Sequence, residues 1–451
     1  MRFPSIFTAV LFAASSALAA YDYNDVLTKS LLFYEAQRSG KLPSDQKVTW
    51  RKDSALNDKG QNGEDLTGGY YDAGDYVKFG FPMAYTATVL AWGLVDHPAG
   101  YSSAGVLDDG RKAVKWVTDY LIKAHVSKNE LYGQVGDGDA DHAYWGRPED
   151  MTMARPAYKI DTSRPGSDLA GETAAALAAA SIVFKSTDSN YANTLLTHAK
   201  QLFDFANNYR GKYSDSITQA SNFYSSSDYK DELVWAAVWL YRATNDQTYL
   251  TTAEKLYSDL GLQSWNGGFT WDTKISGVEV LLAKITGKQA YKDKVKGYCD
   301  YISGSQQKTP KGLVYIDKWG SLRMAANAAY ICAVAADVGI SSTAYRQFAK
   351  TQINYILGDA GRSFVVGYGN NPPTHPHHRS SSCPDAPATC DWNNYNSANP
   401  NPHVLYGALV GGPDSNDNYQ DLRSDYVANE VATDYNAAFQ SLLALIVDLG
   451  L

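Results

Sequence analysis

Two carboxylates three positions apart are the first residues of this chain that could do chemistry. They are Asp72 and Asp75 in Gly68-Gly69-Tyr70-Tyr71-Asp72-Ala73-Gly74-Asp75-Tyr76-Val77-Lys78-Phe79. The glycines permit tight turns and close approach of a ligand, and tyrosines beside carboxylates make a surface that stacks on a sugar and hydrogen-bonds it. Taken alone, the stretch also reads as a solvated Asp-Gly turn. Cleaving a glycosidic bond needs one carboxylic acid for the leaving oxygen and one carboxylate for the other face of the ring. Asp72 and Asp75 offer one side, so the partner must come from elsewhere. Glu430 supplies it, inside the stretch Tyr419 to Ala437. A Glu at a helix start is ordinarily a dipole-friendly residue. Tyr426 and Tyr435 nearby point to burial against aromatics, which raises a carboxyl pKa and lets it hold a proton for use as a general acid.

These residues must be positioned by a large scaffold. The chain has 451 residues, 44% hydrophobic and 20% charged, which fits a globular protein with a sizeable core. A net charge of −8 argues against nucleic acid and anionic membrane surfaces as partners. The 33 tyrosines and 10 tryptophans exceed what a core needs and suit a groove for flat, hydroxylated ligands. Arg2, the apolar run Ile6 to Ala14 and Ala17-Leu18-Ala19 have the layout of a secretory signal peptide, and Met1 to Ala19 resembles the leader of the yeast α-mating pheromone. Residues 1–19 are therefore read as a leader supplied for secretion, and residues 20–451 as one domain, secreted and extracellular, with no appended binding module. No later segment is read as transmembrane, and monomer is the expected state. Among the four cysteines, Cys383 and Cys390 bracket a short loop and are the expected bridge. Cys299 and Cys332 lie in apolar helical stretches and are open to pairing or to burial as thiols.

Apolar residues at three-to-four spacing predict twelve helices: 23–37, 83–95, 108–124, 168–184, 190–208, 231–242, 247–260, 276–285, 289–303, 321–338, 343–357 and 430–448. Asp168, with Glu172 behind it, and Ser321 read as helix starts. Strand patterns are scarce, with Thr270-Trp271 and Leu313-Val314-Tyr315 short at best. Twelve helices suit a double ring in which inner and outer members alternate.

Three blocks then carry a specific resemblance. They are Asp72-Ala73-Gly74-Asp75 in its Gly-Gly-Tyr-Tyr setting, Ser363 to Asn371 running on to Pro376-His377-His378-Arg379, and Tyr419 to Ala437. The chain resembles a glycoside hydrolase family 9 cellulase, an endo-β-1,4-glucanase of the animal type, over the whole of residues 20–451. The resemblance implies an all-α fold, an (α/α)6 barrel, acting on cellulose or cello-oligosaccharides by inversion. It implies that Asp75 is the general base, that Asp72 assists it, and that Glu430 is the general acid. It also implies that His377 and Arg379 grip the sugar beside the cleaved bond. Tyr435, His142, Trp145, Trp319 and Arg323 are read as further substrate contacts, against the plainer reading of each Trp as core.

Metal readings divide. His375, His377 and His378 cluster in sequence, but the Pro-rich setting and Arg379 favour sugar hydroxyls over a cation. Asp137, Asp139 and Asp141 alternate like an EF-hand start, yet His142 stands where that loop needs Gly and Pro148 where it needs Glu. Ser227, Asp228, Asp231 and Glu232, with Asp272, resemble a family calcium site, set against an N-capping cluster. The expected cofactor is thus a structural Ca2+. A non-catalytic sugar-binding protein would have lost one of the three carboxylates. A polysaccharide lyase on a similar barrel would want a basic site.

Overall fold

The computed structural model describes residues 21–451. The leader assigned to residues 1–19 lies outside the described residues. Twelve long helices run through them: α1 (Tyr23–Ala36), α2 (Gly80–Asp96), α3 (Leu107–Ala124), α4 (Ser167–Phe184), α5 (Ser189–Asn208), α6 (Lys230–Thr244), α7 (Gln247–Asp259), α8 (Ile275–Thr286), α9 (Gln289–Asp300), α10 (Ser321–Asp337), α11 (Ser342–Asn354) and α12 (Thr433–Leu449). Even-numbered helices form a closed inner ring. α2 packs on α4, α4 on α6, α6 on α8, α8 on α10, α10 on α12, and α12 returns to α2. Odd-numbered helices lie outside, each against its successor or predecessor, giving the expected (α/α)6 barrel.

The two rings differ in sequence because they differ in surroundings. α4 reads SDLAGETAAALAAASIVF and is buried almost all round. α3, LDDGRKAVKWVTDYLIKA, buries one stripe and leaves its charges in water. Asp22, Asp188 and Asp246 cap the outer helices α1, α5 and α7, each accepting a hydrogen bond from a first-turn amide. Trp92 of α2, Trp235 and Trp239 of α6 and Tyr330 of α10 meet across the ring, with Trp92–Trp235 and Trp235–Trp239 centroids 5.6 and 5.7 Å apart. Because α2, α6 and α10 are alternate members of the ring, these rings fill the barrel axis.

Several expectations need correction. α4 is long and apolar enough to cross a membrane by composition, contrary to the reading that no segment is, but 89% of it is buried inside the barrel. Asp168 is not a helix cap: Gly166 holds that position, and the Asp168 carboxylate takes the amides of Leu169 and Tyr213. Glu172 turns into the core toward Thr88, Trp235 and Lys274. The strands lie elsewhere than expected. β1 (Lys78–Phe79), β2 (Leu131–Val135) and β3 (Ala157–Ile160) form an antiparallel sheet, while Val314 makes only an isolated bridge to Lys308. The last helix begins at Thr433, so Glu430 precedes it in extended backbone.

Candidate active site

Backbone hydrogen bonds stitch the three sequence blocks together at the N-terminal ends of the inner helices. The Arg379 amide donates to the Gly74 carbonyl at 3.1 Å, and the Thr433 amide to the Asp72 carbonyl at 2.8 Å. His377 and Glu430 face each other as a parallel bridge, with the His377 amide donating to the Asn429 carbonyl at 2.8 Å. This explains Gly74: a Cβ there would lie 2.1 Å from the His377 carbonyl oxygen. Gln37 at the end of α1 adds a side-chain tie, donating to the carbonyls of Tyr71 and Ala73 and accepting from His378 Nε2 at 2.8 Å.

The two aspartates sit in opposite electrostatic settings. Burial pushes the Asp72 carboxyl well above the usual range, and the neighbouring charges of Asp75 and Asp434 push it further, against the hydrogen bond from the Tyr224 hydroxyl. Burial also pushes Asp75 up, but the His142 ring, the Arg379 guanidinium and the Ala73 amide outweigh it and hold Asp75 below the usual range. His142 Nε2 is 3.7 Å from Asp75 Oδ2, and that carboxylate raises the imidazole against the partial desolvation of its exposed ring. Of the two aspartates, Asp75 is the carboxyl whose surroundings favour the negative charge.

Glu430 is the third carboxylate. Burial lifts it to about 7, with Trp319 and Tyr435 opposing as donors and the Asp75 charge adding to the rise. Trp319 Nε1 and the Tyr435 hydroxyl both donate to Oε2, at 2.9 and 3.1 Å, so Oε1 is left to carry the proton. His377 donates from Nδ1 to the Arg423 carbonyl at 2.8 Å, and burial pulls its pKa to about 4. The ring is neutral and its Nε2 is a lone pair.

The other sequence candidates fall into two groups. Trp319 is 40% exposed and lies against Tyr426, itself 51% exposed, so an aromatic surface flanks Glu430. His142 is open to solvent beside Asp75. By contrast, Trp145, Tyr435, Arg323 and Arg379 are buried, because each is committed to a protein partner. Trp145 donates to Ser382 Oγ and packs against His377, Trp392 and Tyr395. Tyr435 bonds Glu430, Arg323 pairs with Asp434 at 2.9 Å, and Arg379 pairs with Asp141. The exposed ring on that flank is Trp392, at 44%. It rides on a loop whose carbonyls at Asn394, Ser397 and Asn399 are gathered by the Arg423 guanidinium.

Sequence reasoning missed Tyr224, Asp141, Asp434, Arg423 and Trp392. Asp141 stood in view within an alternating Asp run that was tested only as a calcium loop. The histidines do not converge: His375 bonds Asp421, His377 the Arg423 carbonyl, and His378 Gln37. Among the described residues, Asp75, Asp141 and His142 bring three possible ligand atoms within 4.8 Å of one another. The guanidinium already on Asp141 repels a cation there.

In the segment read as a calcium site, Asp228 is used up by the amides of Tyr229 and Lys230 and by the Lys230 ammonium, as a capping residue would be. The Ser227 amide donates to Asp272 Oδ1 at 2.8 Å. Asp231 accepts from the Lys274 amide and Glu232 from the Lys274 ammonium at 3.0 Å. Asp231 Oδ1 and Glu232 Oε2 remain buried with no partner. Both cysteine pairs are bridged, Cys383–Cys390 as expected and Cys299–Cys332 in addition.

Comparison with known proteins agrees with this geometry. The family model described as glycosyl hydrolase family 9 matches residues 23–443. Endoglucanase B of Cellulomonas fimi is 52% identical over 98% of this chain, which spans only 44% of that protein's length. The solved structure of an endoglucanase from the termite Nasutitermes takasagoensis superposes with a TM-score of 0.95 at 77% identity, covering 96% of this chain and 100% of that one. A C. cellulolyticum cellulase solved in complex with cellobiose matches at 0.89 and 37% identity, over 96% of this chain and 100% of its own.

Proposed function

The chain belongs to glycosyl hydrolase family 9, and from that premise we propose that it is an inverting endo-β-1,4-glucanase acting on cellulose and cello-oligosaccharides. One observation carries the reading: Asp75 is held below the usual carboxylate range beside His142, while Glu430, buried against Trp319 and Tyr435, is lifted to about 7. Two carboxyl groups pushed apart in this way take the base and acid roles. Asp75 removes a proton from water, and the water oxygen bonds the anomeric carbon. On the opposite side Glu430 Oε1 gives its proton to the departing glycosidic oxygen as the old C–O bond breaks. Solvent then returns the proton from Asp75 and reprotonates Glu430. Asp72, pushed up by burial and tied to Tyr224, helps hold the water. His377 accepts a hydroxyl hydrogen through Nε2 and exposed His142 adds a second contact to the sugar, while Arg379, buried against Asp141, sets the charge around Asp75. Exposed rings, Trp319 with Tyr426 beside Glu430 and Trp392 beside Trp145, give the sugar chain surfaces to stack on.

The solved relative holding cellobiose supports the substrate class. Two disulfides and the leader at residues 1–19 support secretion into an oxidising compartment, with residues 20–451 as the secreted domain. The buried, unpartnered oxygens of Asp231 and Glu232 support a calcium ion held with Ser227 and Asp272. Its role is to brace the barrel, not to enter the reaction.

Glu430→Gln tests the reading. It should cost about 10²–10⁴-fold in hydrolysis while cellotetraose still binds. The first product, read by NMR, should be the α-anomer. A variant that keeps its rate, or a β-anomer formed first, would falsify the assignment.

A further inference from the structure

Asp141 has no part in the reaction as written, yet its carboxylate holds both the loop of the base and the arginine beside it. It is 1% exposed, in a five-residue helix, Gly138–His142. Both of its oxygens accept from the Tyr76 amide, at 3.3 and 3.2 Å, fixing the residue directly after Asp75. Its Oδ1 also takes Arg379 Nη1, from the second sequence block. Its chain neighbour is His142, whose ring faces Asp75. One buried carboxylate thus ties the base loop, the arginine and the histidine to a single point.

We propose that Asp141 is a positioning residue that holds the Arg379 guanidinium away from Asp75 and so keeps the base free to take a proton. This rests on the reading of Asp75 as the base. Arg379 acts on Asp75 through its charge but makes no ion pair with it; the pair it makes is with Asp141. Other groups facing Asp75 are Asp72, His142 and Glu430, with the His377 and His378 rings behind them. None of these pairs with the arginine; its counter-charge is Asp141. Removing its charge has two consequences of the same sign. Asp75 loses a repelling neighbour, and Arg379, freed, is left to act on Asp75, whose charge it already feels. The base becomes weaker and its loop loses the anchor at Tyr76.

The experiment is the pH dependence of kcat/KM on cellotetraose for Asp141→Asn, Asp141→Glu, Arg379→Gln and Asp75→Asn. Asp141→Asn should lower kcat by about 10–100-fold and move the acid limb down by about one pH unit. Asp141→Glu restores the charge and should return the limb toward its original place even if kcat stays low. Arg379→Gln leaves Asp141 repelling Asp75 and should move the limb up. The limb's position does not depend on how much protein is folded, and Arg379→Gln carries the test if Asp141→Asn gives no folded enzyme. A limb unmoved by Asp141→Asn, or moved the same way by Arg379→Gln, overturns the proposal. Asp75→Asn separates the two readings. If it retains activity, the assignment of the base fails; if it is inactive while Asp141→Asn keeps the original limb, only the role of Asp141 fails.

Discussion

Glu430 keeps its proton against two hydrogen-bond donors that favour the ionised form. Burial wins, at about 7, and the donors set how far it wins. Trp319 is therefore more than a stacking surface. Replacing it by Phe keeps a ring for the sugar but removes the Nε1–H bond to Oε2, so the protonated acid is favoured further. The basic limb of kcat/KM for Trp319→Phe should move up from about 7, measured on a soluble cello-oligosaccharide. A limb that stayed or moved down would show that the indole does not tune the acid. The sign follows from the raised pKa: activity is held while Glu430 is protonated and is lost as pH rises through that value. At this scale the sequence was informative where chemistry fixes residue type and spacing, as at Asp72, Asp75 and Glu430. It was silent where a partner arrives through folding. Tyr224 and Asp434 reach the site from 152 residues after Asp72 and 111 after Arg323, and nothing local marks them.

Helices and loops show the same division. All twelve helices were legible, because a ring of inner and outer members imposes the 3.6-residue period on the outer ones and near-continuous apolar sequence on the inner ones. Their ends were less so. Pro82 is compatible with a first turn, so α2 starts at Gly80 and not after the proline. Glu430 looked like a helix start because the sequence after it is apolar, yet pairing with His377 holds it extended. The short sheet escaped notice because its strands span only two to five residues. The two disulfides sit on different elements, and their loss should be felt differently. Cys299–Cys332 joins outer α9 to inner α10 across 33 residues. A Cys299→Ser/Cys332→Ser variant should lose roughly 4 kcal/mol or less, seen as a lower Tm with an unchanged kcat. Cys383–Cys390 closes only 7 residues, so it should matter less to Tm. It lies four residues from Arg379 and ahead of the Trp392 loop, so its removal should raise KM. Equal effects of the two variants on both quantities would refute this division.

The whole molecule poses a mechanical problem that neither residue nor helix solves alone: six inner staves must stay closed while their N-terminal ends carry long, polar loops. At the start of α6 this is acute. Asp231 and Glu232 are buried side by side, Glu232 is pushed well above the usual carboxylate range by burial and by Asp231, and Lys274, just before α8, is the one ammonium facing Glu232 and Glu172. The Asp231, Glu232 and Glu172 carboxylates thus share one lysine among α4, α6 and the start of α8, and Asp231 Oδ1 and Glu232 Oε2 have no partner at all. A divalent cation held by Asp231 and Glu232 with Ser227 and Asp272 would offset the repulsion between the two carboxylates at the start of α6. Such an ion would stabilise the folded barrel by its binding energy, because the unfolded chain does not gather these ligands. Calcium at one hundred times its Kd would contribute about 2.7 kcal/mol, which in a barrel of this size is a rise of a few degrees in Tm. EDTA should reverse it. The double variant Asp231→Asn/Glu232→Gln should no longer respond to calcium, and kcat of the calcium-free enzyme at a temperature well below its Tm should match that of the loaded one, because no residue of this set touches Asp75 or Glu430. A Tm indifferent to calcium and EDTA would leave Lys274 as the sole counter-charge of the cluster and remove the ion from the account.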